Sequence, residues 1–173
     1  DVSIYKHSLE LIRAHKFASA IKNLKALSEK NSHLWIKLAL VEAYRANKQN
    51  QQALALLGKL SELFPNYLPV TLLYAHTLNT SGLAKKSIAL LKHQLQTSNA
   101  TIIHKMLAQA YFKNGQISAA LEATGNQYLN EGYFELALQQ YEMALQQTAL
   151  SITSRLRLQA KKENINTTVN NHE

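Results

Sequence analysis

The sequence predicts an all-α protein built from repeated helical hairpins, and three observations lead to this prediction. The chain of 173 residues has only 5 Gly and 2 Pro, too few turn-forming residues for a sandwich or barrel of many short strands. Leu, Ala, Lys and Gln, which all favour helices, dominate its composition. Short segments centred on a small residue recur at spacings of 33, 34 and 33 residues. We therefore expect about ten helices and no strands.

The small residues place each helix in order. They are Ala20, Ala53, Ser87 and Ala120, and each lies in the second helix of a hairpin. The segment before each one supplies the first helix, and a turn at Gly or Asn separates the two. Pro65 falls between two hairpins, where a missing backbone donor costs little. The predicted helices span about 2–14, 17–29, 33–46, 50–63, 68–81, 84–96, 100–113, 117–130, 134–147 and 151–162.

The pattern restarts at half its period after Gly115. The segment NEGYFELALQQYEMAL repeats the same arrangement, and Ala120 and Ala137 are only 17 residues apart. The helix after Gly115 is therefore expected to belong to two successive hairpins. A last segment, LSITSRLRLQAKK, predicts a basic amphipathic capping helix whose apolar residues are Leu150, Leu156 and Leu158. The tail NINTTVNNHE lacks periodicity and is predicted to be flexible.

Composition and charge limit the class of protein further. Hydrophobic residues make up 46% of the chain, which is enough to bury a core, and the absence of Cys excludes disulfides and thiolate metal sites. No apolar run approaches the roughly 20 residues that a membrane span needs, so we expect no membrane insertion. No signal peptide is visible after Asp1, and because this residue is not Met we interpret the sequence as a soluble piece of a longer protein.

The net charge of +8 raises the alternative of nucleic-acid binding. Helical-hairpin repeats of about this length also bind RNA. Before residue 151, six basic residues lie on first helices, six on second helices and three in turns. A groove dedicated to phosphates would concentrate them on one layer, so we expect no nucleic-acid partner.

These residues resemble the tetratricopeptide repeat, a 34-residue helical hairpin. That repeat has small residues at positions 8 and 20, where its helices cross, large residues at 11 and 24, Gly at 15 and often Pro at 32. The departures are Val41 at position 8 and Ser87 at position 20, which replace smaller residues, and Thr124, which is polar at position 24. The residues that match are Ser8, Leu11, Ala20, Leu24, Tyr44, Ala53, Leu57, Pro65, Ala75, Leu78, Gly82, Ser87, Leu91, Ala108, Tyr111, Gly115 and Ala120, and in the half-period restart Gly125, Tyr128, Gly132, Ala137, Tyr141 and Ala144.

The resemblance implies a right-handed helical-hairpin solenoid that binds proteins. It covers residues 1–163, and the predicted flexible tail is 164–173. The repeats span about 1–33, 34–66, 67–99 and 100–132, followed by a half-period continuation at 117–150 and a capping helix at 151–163.

The arrangement as a whole is similar to the C-terminal domain of periplasmic zinc metalloproteases typified by the beta-barrel assembly-enhancing protease. The start with Tyr5, Leu9 and Ile12 corresponds to the segment that follows the catalytic domain in that family. The resemblance implies a periplasmic, non-catalytic scaffold that recruits substrate or outer-membrane assembly machinery. The zinc is expected in a separate domain with an HExxH motif. The seven histidines here include no pair four residues apart, so we expect no cofactor in this chain and no enzymatic activity.

A free-standing tetratricopeptide adaptor for pilus or secretion assembly is a further interpretation. The half-period restart favours the protease over this adaptor only through resemblance. An HExxH motif encoded upstream would support the protease, whereas a lipobox or a longer repeat array would support the adaptor.

Positions 2, 5, 9, 12 and 13 of such repeats usually face a concave groove lined by first helices. Their mixture of apolar and basic side chains suits an extended polypeptide with acidic side chains or a terminal carboxylate. No repeat combines Lys at position 5 with Asn at position 9, so a chaperone C-terminus is a disfavoured ligand. The alternative is that Tyr5 and Trp35 only pack between hairpins and that His76 has no role. The predicted groove residues are Tyr5, Arg13, Trp35, Glu42, Arg45, His76, Asn79, Lys105, Gln109, Phe112 and Lys113.

Overall fold

The computed structural model describes residues 1–170, and this part of the chain folds into ten α-helices without a strand. The predicted all-α fold is confirmed. The helices are α1 (Val2–Arg13), α2 (Phe17–Lys30), α3 (Leu34–Ala46), α4 (Asn50–Leu63), α5 (Leu68–Thr80), α6 (Ala84–Gln94), α7 (Thr101–Lys113), α8 (Ile117–Asn130), α9 (Phe134–Leu145) and α10 (Ile152–Asn170).

The end of the last helix differs from the prediction. α10 continues to Asn170. The prediction of a flexible tail from residue 164 onward is therefore wrong for residues 164–170. Ile165 is 3% exposed and joins Leu158 in the core formed with α9, which gives this polar segment an apolar anchor. Leu156 is 61% exposed, because a residue two positions from Leu158 lies on the other side of the helix. Residues 171–173 of the predicted tail lie outside the described residues.

The chain divides into two compact units, Asp1–Ser81 and Gly82–Glu173, called here the N-terminal and C-terminal units. In the N-terminal unit, α1 to α5 pack each against the next in chain order. Small residues at the helix crossings are fully buried there, among them Ser8, Ala20 and Ala53. Val41, the larger residue at position 8, is also fully buried, so this crossing accommodates a branched side chain.

In the C-terminal unit, α8 packs against both α7 and α9, as the half-period restart predicts. Gly125 on α8 is buried against the ring of Tyr141 on α9, and a Cβ at this position would overlap that ring. Thr124, polar where a large apolar residue was expected, donates a hydrogen bond from its hydroxyl to the Ala120 carbonyl at 3.0 Å. The core of α9 and α10 consists of Ala137, Tyr141, Ala144, Leu158 and Ile165.

The turns at position 15 of the repeats share one backbone conformation. Gly82 and Gly115 have φ of 76° and 74°, in the left-handed region that favours glycine. His15 and Lys48, at the equivalent positions of the first two repeats, adopt the same conformation with φ of 58° and 59°. Among the helices of residues 1–170, none has the length and apolar character needed to cross a membrane.

Candidate protein-binding cleft

A cleft of about 510 Å³ lies in the N-terminal unit between the first helices α1 and α3. Four of the predicted groove residues, Tyr5, Arg13, Trp35 and Glu42, line it together. They come from positions 5 and 13 of the first repeat and positions 2 and 9 of the second, as the repeat mapping requires. The other lining residues are apolar and come from α1, α3 and α5; they are Leu9, Ile12, Leu38, Ala39 and Leu73.

Trp35 is the most prominent side chain of the cleft. It lies in the first turn of α3, where its neighbour Ile36 points into the core and is 5% exposed. Trp35 itself is 64% exposed, so packing between hairpins does not account for it. A large aromatic side chain exposed beside an apolar cleft is typical of an interaction surface.

The charges around the cleft are not balanced. Arg45 donates a hydrogen bond from Nη1 to Glu42 Oε1 at 2.7 Å, so the carboxylate of Glu42 has a partner within its own helix. Arg13 is exposed and makes no ion pair with any of residues 1–170. The cleft therefore combines apolar walls with one cation that is available to a ligand.

The remaining predicted residues do not line this cleft. Arg45 is hydrogen-bonded to Glu42 but does not itself line the cleft. His76 is exposed on α5 and also lies outside the cleft. Asn79 is 5% exposed, so its predicted place on a binding surface is wrong. The last turn of α5 packs this face inward, and Leu78 beside it is also buried.

Lys105, Gln109, Phe112 and Lys113 belong to the C-terminal unit. They lie along one side of α7, and none of them is buried. Phe112 is 68% exposed. This stripe on α7 is described separately from the cleft, because it belongs to the other unit.

The repeat mapping missed two residues that line the cleft. Ala39 and Leu73 both occupy position 6 of their repeats, a position that was not counted among the groove positions. Their shared position is the signal that identifies them: residue 6 lies one position beyond residue 5 and reaches the same gap between neighbouring first helices.

The C-terminal unit contains a polar network that no motif predicted. Arg157 of α10 binds Glu122 of α8 with two hydrogen bonds, from Nε to Oε1 at 2.8 Å and from Nη2 to Oε2 at 2.7 Å. Lys161 Nζ lies 2.9 Å from Glu122 Oε1 and donates to Asn126 Oδ1 at 2.6 Å. Tyr141 donates its hydroxyl to the same Asn126 oxygen at 2.8 Å. This network joins α8, α9 and α10.

Burial and charge shift the titration of the groups in this network. Burial alone would raise the pKa of Glu122, but the hydrogen bond from Arg157 and the charge of Lys161 hold that pKa below its ordinary value. Burial, together with the negative charge of Glu122, raises the pKa of Tyr141 to about 12. The carboxylate is therefore ionised and the phenol is neutral at neutral pH.

Residues 1–170 contain no set of side chains that fits a catalytic metal. Within residues 1–170, no group of three His, Asp or Glu side chains lies close enough together to hold a metal ion. The zinc implied by the metalloprotease resemblance has no set of ligands among these side chains.

Comparison with known proteins supports the tetratricopeptide-repeat fold. Residues 11–66 match the family model of the tetratricopeptide repeat. No curated protein matches the chain in sequence.

Solved structures with a similar fold include MamA of Desulfovibrio magneticus RS-1, with 14% identity, coverage of 95% of this chain and 94% of that one, and a TM-score of 0.65. MamA of MSR-1 is 13% identical over 99% and 98% of the two chains, with a TM-score of 0.60. A thermophilic tetratricopeptide-repeat protein of Thermus thermophilus is 17% identical over 91% and 96%, with a TM-score of 0.55. These similarities concern the fold.

Proposed function

We propose that this chain, whose helical hairpins form a tetratricopeptide-repeat solenoid, is a non-catalytic scaffold that binds an extended polypeptide in the cleft between α1 and α3. The observation that carries the proposal is the exposed Trp35 on an apolar cleft beside Arg13, a cation without an ion pair among the described residues. Tetratricopeptide-repeat proteins are generally non-catalytic and bind other proteins. The location of the binding site in this cleft and the kind of ligand it takes are our inference.

The chemistry of the cleft favours one kind of segment. Tyr5, Trp35 and the leucines offer contact area for an aromatic or aliphatic side chain. Arg13 favours a carboxylate close to that side chain, whereas Glu42 does not repel it because Arg45 neutralises its charge. We therefore expect an extended segment that presents an apolar residue next to an acidic one.

The wider proposal is that this scaffold belongs to a periplasmic zinc metalloprotease resembling the beta-barrel assembly-enhancing protease. In that setting it recruits substrate or outer-membrane assembly machinery to a catalytic domain that carries the zinc. The support is the resemblance in repeat arrangement, and the absence of a metal-ligand cluster in residues 1–170 is compatible with zinc in another domain. An HExxH motif encoded upstream of Asp1 is the expected finding. A lipobox or a longer repeat array there would instead support the free-standing adaptor.

Trp35 provides a direct test of the cleft, because it is the only tryptophan in the chain. A short synthetic peptide with repeated Phe-Asp pairs is titrated into the protein, and the emission of Trp35 is followed. We expect a blue shift as the indole leaves water. A matched peptide with Asn in place of each Asp is expected to bind about fivefold more weakly, which corresponds to the loss of about 1 kcal/mol.

Two variants locate the binding site. Arg13→Gln is expected to weaken the acidic peptide about fivefold and to leave the amide peptide unchanged. Lys16→Gln removes the same charge from an exposed residue outside the cleft and serves as the control. Trp35→Ala, measured by the anisotropy of a labelled peptide, is expected to reduce affinity about 30-fold, as for an aromatic hot spot of about 2 kcal/mol. Equal losses in Arg13→Gln and Lys16→Gln would show that only net charge matters and would overturn the proposed cleft.

A further inference from the structure

The turn between α8 and α9 exposes two aromatic side chains between two carboxylates. Tyr133 is 57% exposed and Phe134 is also exposed, and the exposed residues Glu131 and Glu135 lie on either side of them in the sequence. Exposed aromatic side chains are enriched in protein interfaces. Residues 131–135 are called here the acidic aromatic turn. It belongs to the C-terminal unit and does not line the peptide cleft between α1 and α3.

Tyr133 differs from the residues at the same place in the other turns. It is the N-cap residue of α9, and its ring contacts Tyr128 edge-on, with the ring centroids 6.4 Å apart. This contact orients the ring but leaves it largely exposed. The turn conformation does not need a large side chain here, so packing does not account for Tyr133. In three of the other turns the N-cap residue of the second helix is polar; these residues are Lys16, Gln49 and Gln116.

The charge around this turn is negative. Residues 114–150 contain four Glu and no Lys or Arg, and two of these Glu are paired with cations of α10. The carboxylate of Glu131 accepts a hydrogen bond from the neutral amide of Gln127 at 3.1 Å, which leaves its charge uncompensated. Glu135 makes no ion pair with any of residues 1–170. The turn therefore combines aromatic rings with two uncompensated negative charges.

The peptide cleft of the N-terminal unit has the complementary properties. Its walls are apolar, Trp35 is exposed beside them, and Arg13 is a cation without an ion pair among the described residues. Residues 11–28 contain four Lys or Arg and no Asp or Glu, so the charge around Arg13 is positive. The kind of segment expected in this cleft has an apolar residue next to an acidic one, as the sequence Tyr-Phe-Glu at 133–135 does.

We propose that copies of this chain associate with one another, with the acidic aromatic turn of one copy bound in the cleft of the next. This inference rests on the proposed function, because it uses the same cleft and identifies a second copy of this chain as a partner. Tyr133 enters the apolar cleft beside Trp35, and Glu135 pairs with Arg13. The contact joins two different surfaces, so each pair retains one free cleft and one free turn, and assembly continues beyond two copies.

The test is complementation between two variants, because a contact of this kind can be broken from either side. Trp35→Ala alters the cleft, and Tyr133→Ser alters the turn while placing a favourable residue at the N-cap of α9. Sedimentation velocity measures association of the parent, of each variant alone and of their equimolar mixture. We expect each variant to be monomeric over the concentrations at which the parent associates. The mixture should form pairs and nothing larger, because only one combination of intact turn and intact cleft remains.

Matched changes separate this contact from general effects of charge and exposed aromatic surface. Tyr133→Ser is expected to weaken association about 30-fold and Glu135→Gln about fivefold. Phe112→Ala removes an exposed aromatic side chain from α7 of the same unit, and Glu163→Gln removes an exposed carboxylate from α10. Both of these control variants are expected to associate as the parent does.

A parent that remains monomeric, or a mixture in which no pairs form, would overturn the proposal. Equal losses in Glu135→Gln and Glu163→Gln would also overturn it, because only net charge would then matter. Titration of the Phe-Asp peptide into Tyr133→Ser, whose cleft is intact, separates this inference from the proposed function. Peptide binding without pair formation in the mixture would retain the peptide cleft and remove self-association. Pair formation without peptide binding would retain self-association and remove the extended peptide as a ligand.

Discussion

The gaps between first helices in the two units differ in what fills them. Between α1 and α3 the gap is an open cleft with apolar walls, and Trp35 remains largely exposed. Between α8 and α10 the equivalent gap is bridged by the ion pairs of Glu122 with Arg157 and Lys161. The same helical arrangement therefore produces a cleft with apolar walls in one unit and a gap bridged by ion pairs in the other.

Position 5 of the repeat shows the origin of this difference. Tyr5 occupies it in α1, and Glu122 occupies it in α8 when that helix is counted as the first helix of the half-period repeat. An aromatic residue at this position lines a cleft, whereas a buried carboxylate needs cations, which α10 supplies. The packing residues form the hairpins, and the identity of a few surface positions determines whether the gap between neighbouring first helices is apolar or charged.

The largest expected effect concerns helical glycines in the two units. Gly125→Ala places a methyl group where Tyr141 already lies, so the contact of α8 with α9 must open. We expect a loss of about 2–3 kcal/mol in the free energy of unfolding, measured by urea denaturation with circular dichroism. The control is Gly58→Ala in the N-terminal unit, whose added Cβ would lie at an ordinary 3.6 Å from the Tyr74 hydroxyl. That variant is expected to gain about 0.5–1 kcal/mol, because alanine favours the helix.

Equal stability of the two glycine variants would contradict the close approach of α8 and α9. It would also remove the physical reason for a small residue at the point where one helix serves two hairpins. The comparison of the two units would then rest on charge alone.

The next effect compares the ion pairs that bridge the gap between α8 and α10 with the ion pair beside the N-terminal cleft. Glu122→Gln leaves Arg157 and Lys161 without their anion, and we expect a loss of about 1.5–2.5 kcal/mol in the free energy of unfolding at pH 7. This is less than for a fully buried pair because the Arg157 side chain is half exposed. Glu42→Gln removes an exposed pair within one helix and is expected to cost at most about 0.5 kcal/mol. Urea midpoints of the two variants and the parent give both values.

The pH dependence of the Glu122 effect follows from its lowered pKa. The group contributes full stability above its ordinary pKa of 4.5, and this contribution is lost as the pH falls through the lower value of the folded state. The difference in stability between the parent and Glu122→Gln should therefore be constant from pH 7 to about pH 5 and shrink below the ordinary carboxyl pKa. A difference that is unchanged at low pH would show that the loss comes from packing and not from charge.

Sequence periodicity predicts the helices well because each one carries several packing residues at regular spacing. The first nine helices begin and end within two residues of the predicted bounds. The end of α10 was not predicted because, among its residues of described burial, the buried ones are Leu158 and Ile165, seven residues apart in a polar segment. Two apolar residues at that spacing do not stand out from a polar tail.

The candidate site was predictable only in part. Repeat positions identified Tyr5, Arg13, Trp35 and Glu42 as neighbours, since position in the repeat determines the face of the helix. The partnership of Glu122 with Arg157 was not predictable, because the two are 35 residues apart and many charges in the chain have similar spacings. Contacts between helices decide such pairs, and a single sequence does not specify them.

The smallest expected effect concerns the turns at position 15, where the units use different residues for one conformation. The N-terminal unit places His15 and Lys48 in the left-handed region, whereas Gly82 and Gly115 of the C-terminal unit adopt it without strain. His15→Gly and Lys48→Gly should each raise the free energy of unfolding by about 0.5–1 kcal/mol, because relief of strain exceeds the added entropy of the unfolded chain. Gly115→Ala should lower it by about 1 kcal/mol, and since no atom lies within 4 Å of an added Cβ, this cost would be backbone strain alone. Thermal midpoints measured by circular dichroism should move in opposite directions for the two kinds of variant. A stabilising Gly115→Ala would show that the shared left-handed turn is not what sets the residue preference at this position.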